Sequence, residues 1–293
     1  MTSDIIQKSV EKILSHSIDL TIISVEFNSI GGGSINDSYQ IIINKKERFF
    51  CKLNSAKKFP SLFIKEKNGL EFLAKQDIIK IPSVIACEEF DDKQILILEW
   101  IDHGPGTEKF WENFGEQLSM LHRISDNHFG LDEDNYMGAL TQCNNPSKTW
   151  TDFFIHQRLE PQIRLALDNR LLDNKSLSHF NNLYKKLPEI FPLESPSLLH
   201  GDLWSGNFLC NHNNEPVLID PAVYFGHRSV DLAMTTLFGG FDKKFYETYN
   251  HHFPFPQNHR EQWKICNLYP LLIHLNLFGE TYRLDILQTI KGF

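Results

Sequence analysis

The sequence predicts an α+β chain of two lobes, the first an antiparallel sheet with one helix and the second mainly helical. Two observations carry the prediction. Five strand-like runs crowd into residues 22–101 around a single helical stretch, and the pattern turns to helical spacing after a Gly/Pro stretch at residues 102–106. No internal repeat or low-complexity tract points to another architecture. The expected boundary therefore separates a lobe of residues 1–102 from one of residues 103–293.

Ile5, Ile6, Val10, Ile13 and Leu14 fall at helical spacing over residues 3–16, with Thr2 or Ser3 as a candidate N-cap. Strand-like runs at 22–30 and 38–43 flank Gly31-Gly32-Gly33-Ser34-Ile35-Asn36-Asp37, and a third at 48–53 follows the turn Asn44-Lys45-Lys46-Glu47. Ser61 is expected to cap a helix carrying Leu62, Phe63, Leu70 and Leu73 that ends before Pro82. Runs at 84–90 and 94–101, joined at Asp91-Asp92, complete five strands. Thr107 is expected to cap the next helix, whose Phe110, Phe114, Leu118 and Leu121 share a face. Beyond it helices are expected over 149–170, 175–187, 229–250 and 258–290, with short strands at 198–200, 207–210 and 216–220. His251-His252, beside a Phe/Pro run, reads as a loop.

With 293 residues and 41% hydrophobic content, the chain has enough apolar material for a core in each lobe. A net charge of -8 argues against nucleic acid or an anionic membrane as the main partner. Asp4 and Glu11 interrupt the apolar residues at the N-terminus, and the apolar stretch 268–278 falls short of the roughly 20 residues needed to span a bilayer. A soluble cytoplasmic protein is expected. The five cysteines, at 51, 87, 143, 210 and 266, form no CxxC pair and read as buried reduced thiols.

The chemistry concentrates in His200-Gly201-Asp202-Leu203-Trp204-Ser205-Gly206-Asn207, followed by Val217-Leu218-Ile219-Asp220-Pro221-Ala222. An Asp and an Asn on one tight loop, with a second Asp closing a hydrophobic strand, match the parts needed for phosphoryl transfer. Asp202 would take or orient the acceptor hydroxyl proton, while Asn207 and Asp220 would hold Mg²⁺ against the phosphates of ATP. Such chemistry asks chiefly for positioning and charge neutralisation, because the transferred group is heavily anionic. Upstream, Lys52 stands among apolar neighbours in Phe49-Phe50-Cys51-Lys52-Leu53, where an ammonium is costly unless it meets an anion. It is expected at the nucleotide phosphates, with Glu66 on the following helix as its ion-pair partner. The hairpin carrying Gly32, Gly33 and Ser34 is expected to lay backbone N–H groups over the phosphates. It does not fit the pattern of a glycine loop opening a helix with Gly-Lys-Ser/Thr.

The acceptor is expected to be small. Gly201 occupies the position where a regulated protein kinase carries an Arg, and only about ten residues separate Asp220 from the next helix, with no Ala-Pro-Glu between them. Together with Leu121-His122-Arg123, Asp134-Asn135-Tyr136-Met137-Gly138, Trp150-Thr151-Asp152-Phe153-Phe154, Gln157-Arg158-Leu159, Tyr224-Phe225-Gly226-His227-Arg228 and Asp231-Leu232-Ala233-Met234, these blocks make the chain resemble the fructosamine kinase (ketosamine-3-kinase) family. That family sits within the choline kinase and aminoglycoside phosphotransferase group of protein-kinase-like folds.

The resemblance implies a bilobal protein-kinase-like fold and phosphorylation of the sugar 3-hydroxyl of ketosamines, initiating deglycation of amines or proteins. It implies Lys52 and Glu66 at the nucleotide, Asp202 as base, Asn207 and Asp220 as metal ligands, and Trp204 as a wall of the acceptor pocket, where an indole can stack on a sugar or meet a protonated amine. By analogy, backbone at Glu99, Trp100 and Ile101 would meet adenine. Ser34 stands where some relatives carry a cysteine, so no redox switch is expected there. His200 and Asp231 read as braces of the catalytic loop, and His122, Arg158 and Arg228 as structural supports. Choline or an aminoglycoside is the alternative acceptor, and a nucleotide-binding pseudokinase scaffold the alternative of another class.

Overall fold

The computed structural model describes residues 4–31 and 35–293, so the glycine-loop positions Gly32, Gly33 and Ser34 lie outside the described residues. Helix α1 (Asp4–Ser17) precedes strands β1 (Val25–Ile30), β2 (Asp37–Ile43) and β3 (Glu47–Ser55), then helix α2 (Leu62–Ala74) and strands β4 (Val84–Phe90) and β5 (Lys93–Glu99). The strands form one antiparallel sheet in the order β1-β2-β3-β5-β4.

Alternation along the strands decides what each face meets. Ile95 and Ile97 of β5 join Cys51 and Leu53 of β3 beneath Val10 and Leu14 of α1. Leu96 and Leu98 point the other way and pack with Phe63, Leu70 and Leu73 of α2. Lys52 is paired in register with Leu96, so it shares the face that looks toward α2. A one-residue slip would turn Lys52 under α1 and leave its charge among apolar side chains.

The helical lobe opens with α3 (Glu108–Leu121), then a hairpin of β6 (Asn135–Met137) and β7 (Leu140–Gln142). Next, α4 (Trp150–Phe153) runs through a π-helical turn at Phe154–Leu159 into α5 (Glu160–Asp168), and α6 (Asn174–Ile190) follows. Short strands β8 (Ser197–Leu199), β9 (Phe208–Cys210), β10 (Pro216–Leu218) and β11 (Tyr224–Gly226) pair as β8 with β11 and β9 with β10. The chain ends in α7 (Ser229–Leu237), α8 (Lys243–His252), α9 (His259–Cys266), α10 (Leu268–Phe278), a 3₁₀ turn at Glu280–Tyr282 and α11 (Arg283–Ile290). A large core of Phe153, Phe180, Leu187, Tyr224, Leu272 and neighbours holds these helices together.

Several local expectations are corrected. Ser61 makes no side-chain cap; it sits at φ 60 and accepts the Lys65 N–H through its carbonyl. Thr107 has cap-like extended backbone, yet its hydroxyl is taken by Asn214 Nδ2 instead of a helix N–H. The span 229–250 is two helices, because Gly239 and Gly240 adopt φ of 72 and 91 and Asp242 caps α8 anew. The span 258–290 breaks at Asn267 and at Gly279, where φ is 89. His251 and His252 belong to the last turn of α8, not a loop. The five thiols are free, but only Cys51 and Cys266 are buried, the other three being half-buried. No described helix is long and apolar enough to cross a membrane.

Candidate active site

The loop between β8 and β9 is held from beneath by Asp231 at the start of α7. Its Oδ2 accepts the His200 N–H at 2.8 Å and His122 Nε2 at 3.1 Å, and its Oδ1 accepts the Gly201 N–H at 2.9 Å. The position of Gly201 demands glycine: φ is 85, and a Cβ would lie 2.0 Å from the Ala222 carbonyl oxygen. His200 donates from Nε2 to the Ile219 carbonyl at 2.9 Å and accepts the Asp202 N–H on Nδ1 at 3.2 Å, which fixes its neutral tautomer. Burial holds its pKa below the ordinary histidine value, in keeping with that assignment.

Above this loop the ionisable residues converge. Lys52 Nζ reaches Glu66 Oε1 at 2.7 Å and also donates to Asp220 Oδ1. Burial alone would depress the lysine, but attraction to Asp220 and Glu66 outweighs it and holds the ammonium above its ordinary pKa. Two carboxylates share one ammonium, so the more deeply buried of them gives way. Burial first, and then repulsion from Asp220, push Glu66 up to about 7 against the pull of Lys52. Asp220 sits at φ 54 and turns a partly exposed carboxylate into the cleft. Asn207 Nδ2 donates to both the carbonyl and Oδ2 of Asp202 at 2.9 Å. Burial, with repulsion from Asp220, raises Asp202 to about 7. Nothing in the loop competes for its Oδ1 by hydrogen bonding among the described residues.

Lys52, Glu66, Asp202, Trp204, Asn207 and Asp220 all line one cleft of about 530 Å³ between the sheet and the helical lobe. Trp204 lies edge-on to Phe238, with ring centroids 5.9 Å apart. A Cβ on Gly206 would come within 2.4 Å of the indole, so that glycine is the seat on which the ring rests. Glu99, Trp100 and Ile101 do not line the cleft. Glu99 instead pairs with Lys80 at 2.8 Å and accepts the Ser83 N–H, Trp100 donates to Asp102, and Ile101 is buried. Gly32, Gly33 and Ser34 are outside the described residues, although their neighbours Gly31 and Ile35 border the cleft.

Sequence reasoning missed a second set of lining residues: Lys65, the β6 segment Asn135–Gly138, and Ile273, His274, Leu277 and Phe278 of α10. Helix α10 reads in sequence as a core helix, and its remaining apolar residues are indeed core. The sequence signal was the polar His274 within that apolar run; Asn276, equally polar, does not line the cleft and donates to Gln162.

The supporting residues do as expected. Arg228 donates to Glu194 at 2.5 Å and to the Phe253 and Pro254 carbonyls, and its guanidinium lies 3.7 Å from the Phe253 ring centre. Arg158, fully buried, lies 4.0 Å from the Tyr224 ring centre and 4.5 Å from that of Phe153, and donates to Asn144 Oδ1 at 2.6 Å. The π-helical turn brings it there.

The chain is 36% identical over 272 residues to a probable ketoamine kinase of Synechocystis, covering 91% of this chain and 89% of that one. It is 33% identical over 275 residues to the chloroplastic protein-ribulosamine 3-kinase of Arabidopsis thaliana, with 92% and 82% covered. Among solved structures, a putative fructosamine-3-kinase of Haemophilus somnus superposes with a TM-score of 0.88 at 25% identity, over 98% of this chain and 97% of that one. An aminoglycoside 2'-phosphotransferase in complex with GDP shares the fold alone, at a TM-score of 0.59 and 14% identity. The fructosamine kinase family model matches residues 6–293, and the chain, with its bilobal protein-kinase-like fold, belongs to that family.

Proposed function

We propose that this chain is an ATP-dependent kinase that phosphorylates the 3-hydroxyl of ketosamines, with nucleotide held largely by residues 1–102 and acceptor by residues 103–293. The observation that carries the reading is the convergence, in one cleft, of the Lys52–Glu66–Asp220 cluster with the Asp202–Asn207 pair. Membership of the fructosamine kinase family and likeness to a protein-ribulosamine 3-kinase support the acceptor class.

Lys52 keeps its charge for the phosphates because two carboxylates fix it at the mouth of the sheet face. Asp202 receives the proton of the acceptor hydroxyl on Oδ1, the oxygen that Asn207 leaves free, as the hydroxyl oxygen bonds to the γ-phosphorus and the bond from the γ-phosphorus to the bridging oxygen breaks, releasing ADP. Among the described residues no group of three or more His, Cys, Asp or Glu forms a metal cage. The donor set is instead the Asn207 amide oxygen and the Asp220 carboxylate, hard oxygens that suit Mg²⁺ completed by phosphate and water. Bound there, Mg²⁺ would neutralise charge on the transferred group. Trp204 and the α10 residues would wall the acceptor, the Gly32–Ser34 loop would meet the phosphates, and the adenine would have to reach past the cleft lining described above to meet backbone at Glu99–Ile101.

The test is phosphate transfer from Mg-ATP to a panel of ribulose-lysine, fructose-lysine, choline and an aminoglycoside. Transfer to the ketosamines is expected. Transfer only to choline or the aminoglycoside would replace the acceptor class, and nucleotide binding with no transfer to any would favour the scaffold reading.

A further inference from the structure

The segment Glu133–Gln142 was conspicuous in sequence through Asp134-Asn135-Tyr136-Met137-Gly138, yet none of the catalytic roles above uses it. In the fold it touches two parts of the site at once. Toward the sheet lobe, Glu133 accepts from Asn68 Nδ2 at 2.7 Å and lies 3.6 Å from Lys65 Nζ, which also donates to the Asp134 carbonyl. Lys65 and Asn68 are three residues apart and share one face of α2. Tyr136 donates its hydroxyl to the Pro60 carbonyl at 3.0 Å, just before the same helix.

Toward the catalytic floor, Asn135 donates to the Val223 carbonyl at 2.8 Å, three residues after Asp220, and Gln142 reaches the Ala222 carbonyl at 3.3 Å. Asn135 is nearly buried, and its Oδ1 is filled by Gln142 at 2.8 Å and Asn144 at 3.2 Å. Asn144 in turn is pinned by the buried Arg158. The floor and α2 also meet directly, since a Cβ on Gly69 would lie 3.3 Å from Val223. Neighbouring residues of the segment thus grip, in turn, the helix that carries Glu66 and the stretch between Asp220 and β11.

We infer that Glu133, Tyr136 and Asn135, with Asn68 on α2, are positioning residues: they lock α2 against the metal-side loop so that Glu66 and Asp220 meet Lys52 before any ligand binds. Each exposed contact is worth little to global stability. Its effect is on register, because Glu66 reaches Lys52 only if α2 holds its height on the sheet. The inference rests on the nucleotide site proposed above but not on the identity of the acceptor.

The test is a mutant cycle read by Mg-ADP affinity in titration calorimetry. The clamp variant Asn68→Ala, Glu133→Ala, Tyr136→Phe is made in the parent and in a Glu66→Ala background. Acting through Glu66, the clamp should weaken Mg-ADP binding about 10-fold in the parent and less than about 2-fold when Glu66 is already gone. Equal losses in the two backgrounds, as a general structural role would give, would overturn the proposal, as would no loss in the parent. If the triple variant does not fold, Asn68→Ala with Glu133→Ala alone, an exposed pair, carries the same comparison at about 3-fold. Failure to phosphorylate ketosamines would count against the acceptor reading and leave this cycle decisive on its own.

Discussion

Two buried carboxylate systems lie close together in this protein and are satisfied in opposite ways. Asp231 accepts from the His200 and Gly201 N–H groups and from His122, whose other nitrogen is taken by Tyr249 at 2.8 Å. Every direction around it is filled by protein. The Lys52, Glu66, Asp220, Asp202 cluster instead shares one ammonium between Glu66 and Asp220, holds Asp202 through Asn207, and leaves part of Asp220 and Asp202 without a partner among the described residues. A carboxylate that supports a loop is saturated, whereas the carboxylates proposed to receive a metal and a proton are left short and electrostatically crowded.

Four substitutions break or sharpen that contrast. Asp202→Asn should lower transfer by about 10²–10⁴-fold while thermal stability and nucleotide binding change little, since the proton acceptor goes but the shape stays. A single-turnover assay alongside a melting curve separates the two. Asp231→Asn should do the reverse first: an amide cannot accept from three donors, so stability should fall by about 1–3 kcal/mol in urea unfolding, with activity following the loop. If stability is unchanged, Asp231 is not the brace described here.

A third variant, Glu194→Gln, tests a carboxylate between these extremes. Burial opposes its charge, but His227 at 3.2 Å and Arg228 overcome that and hold its pKa at about 2. A folded pKa below the unfolded one contributes stability that is present above about pH 4.5 and lost as pH falls toward 2. The gap in unfolding midpoint between parent and variant should therefore narrow across that window; a gap independent of pH would remove the ion pair as its cause. The smallest effect is expected for Lys80→Ala, which removes the exposed Lys80–Glu99 pair at 2.8 Å and should change stability by less than about 1 kcal/mol. A larger loss, measured in the same urea titration, would mean that the β5 end depends on this pair.

The sequence disclosed the converging ionisable groups better than the walls around them. Asp202, Asn207 and Asp220 lie within 19 residues of one another, and Lys52 was visible as a charge in an apolar strand, so local spacing carried them. Glu66 was found through the order of elements, and strand register then supplied the geometric reason that Lys52 faces it. His274 and Phe278 were hidden because a helix with apolar residues nearly all round gives no sign of which side meets a cavity. The hairpin β6–β7 was too short for periodicity to register. The helix breaks at Gly239-Gly240 were legible in principle, since adjacent glycines mark a turn; there apolar periodicity was followed past its punctuation.

The close seat of Trp204 on Gly206 has a consequence for engineering the enzyme. The indole rests against the residue immediately before Asn207, so the proposed acceptor wall and the proposed metal ligand would form a single mechanical part. Shrinking Trp204 to admit bulkier amines would free the backbone that aims the Asn207 amide, and wider substrate range would come with slower turnover. On helix α10, Leu277 and Phe278 border the same cleft from a separate element, whereas His274 is tied back to Trp204 through Phe238, so remodelling for new acceptors would have its freest choice at Leu277 and Phe278.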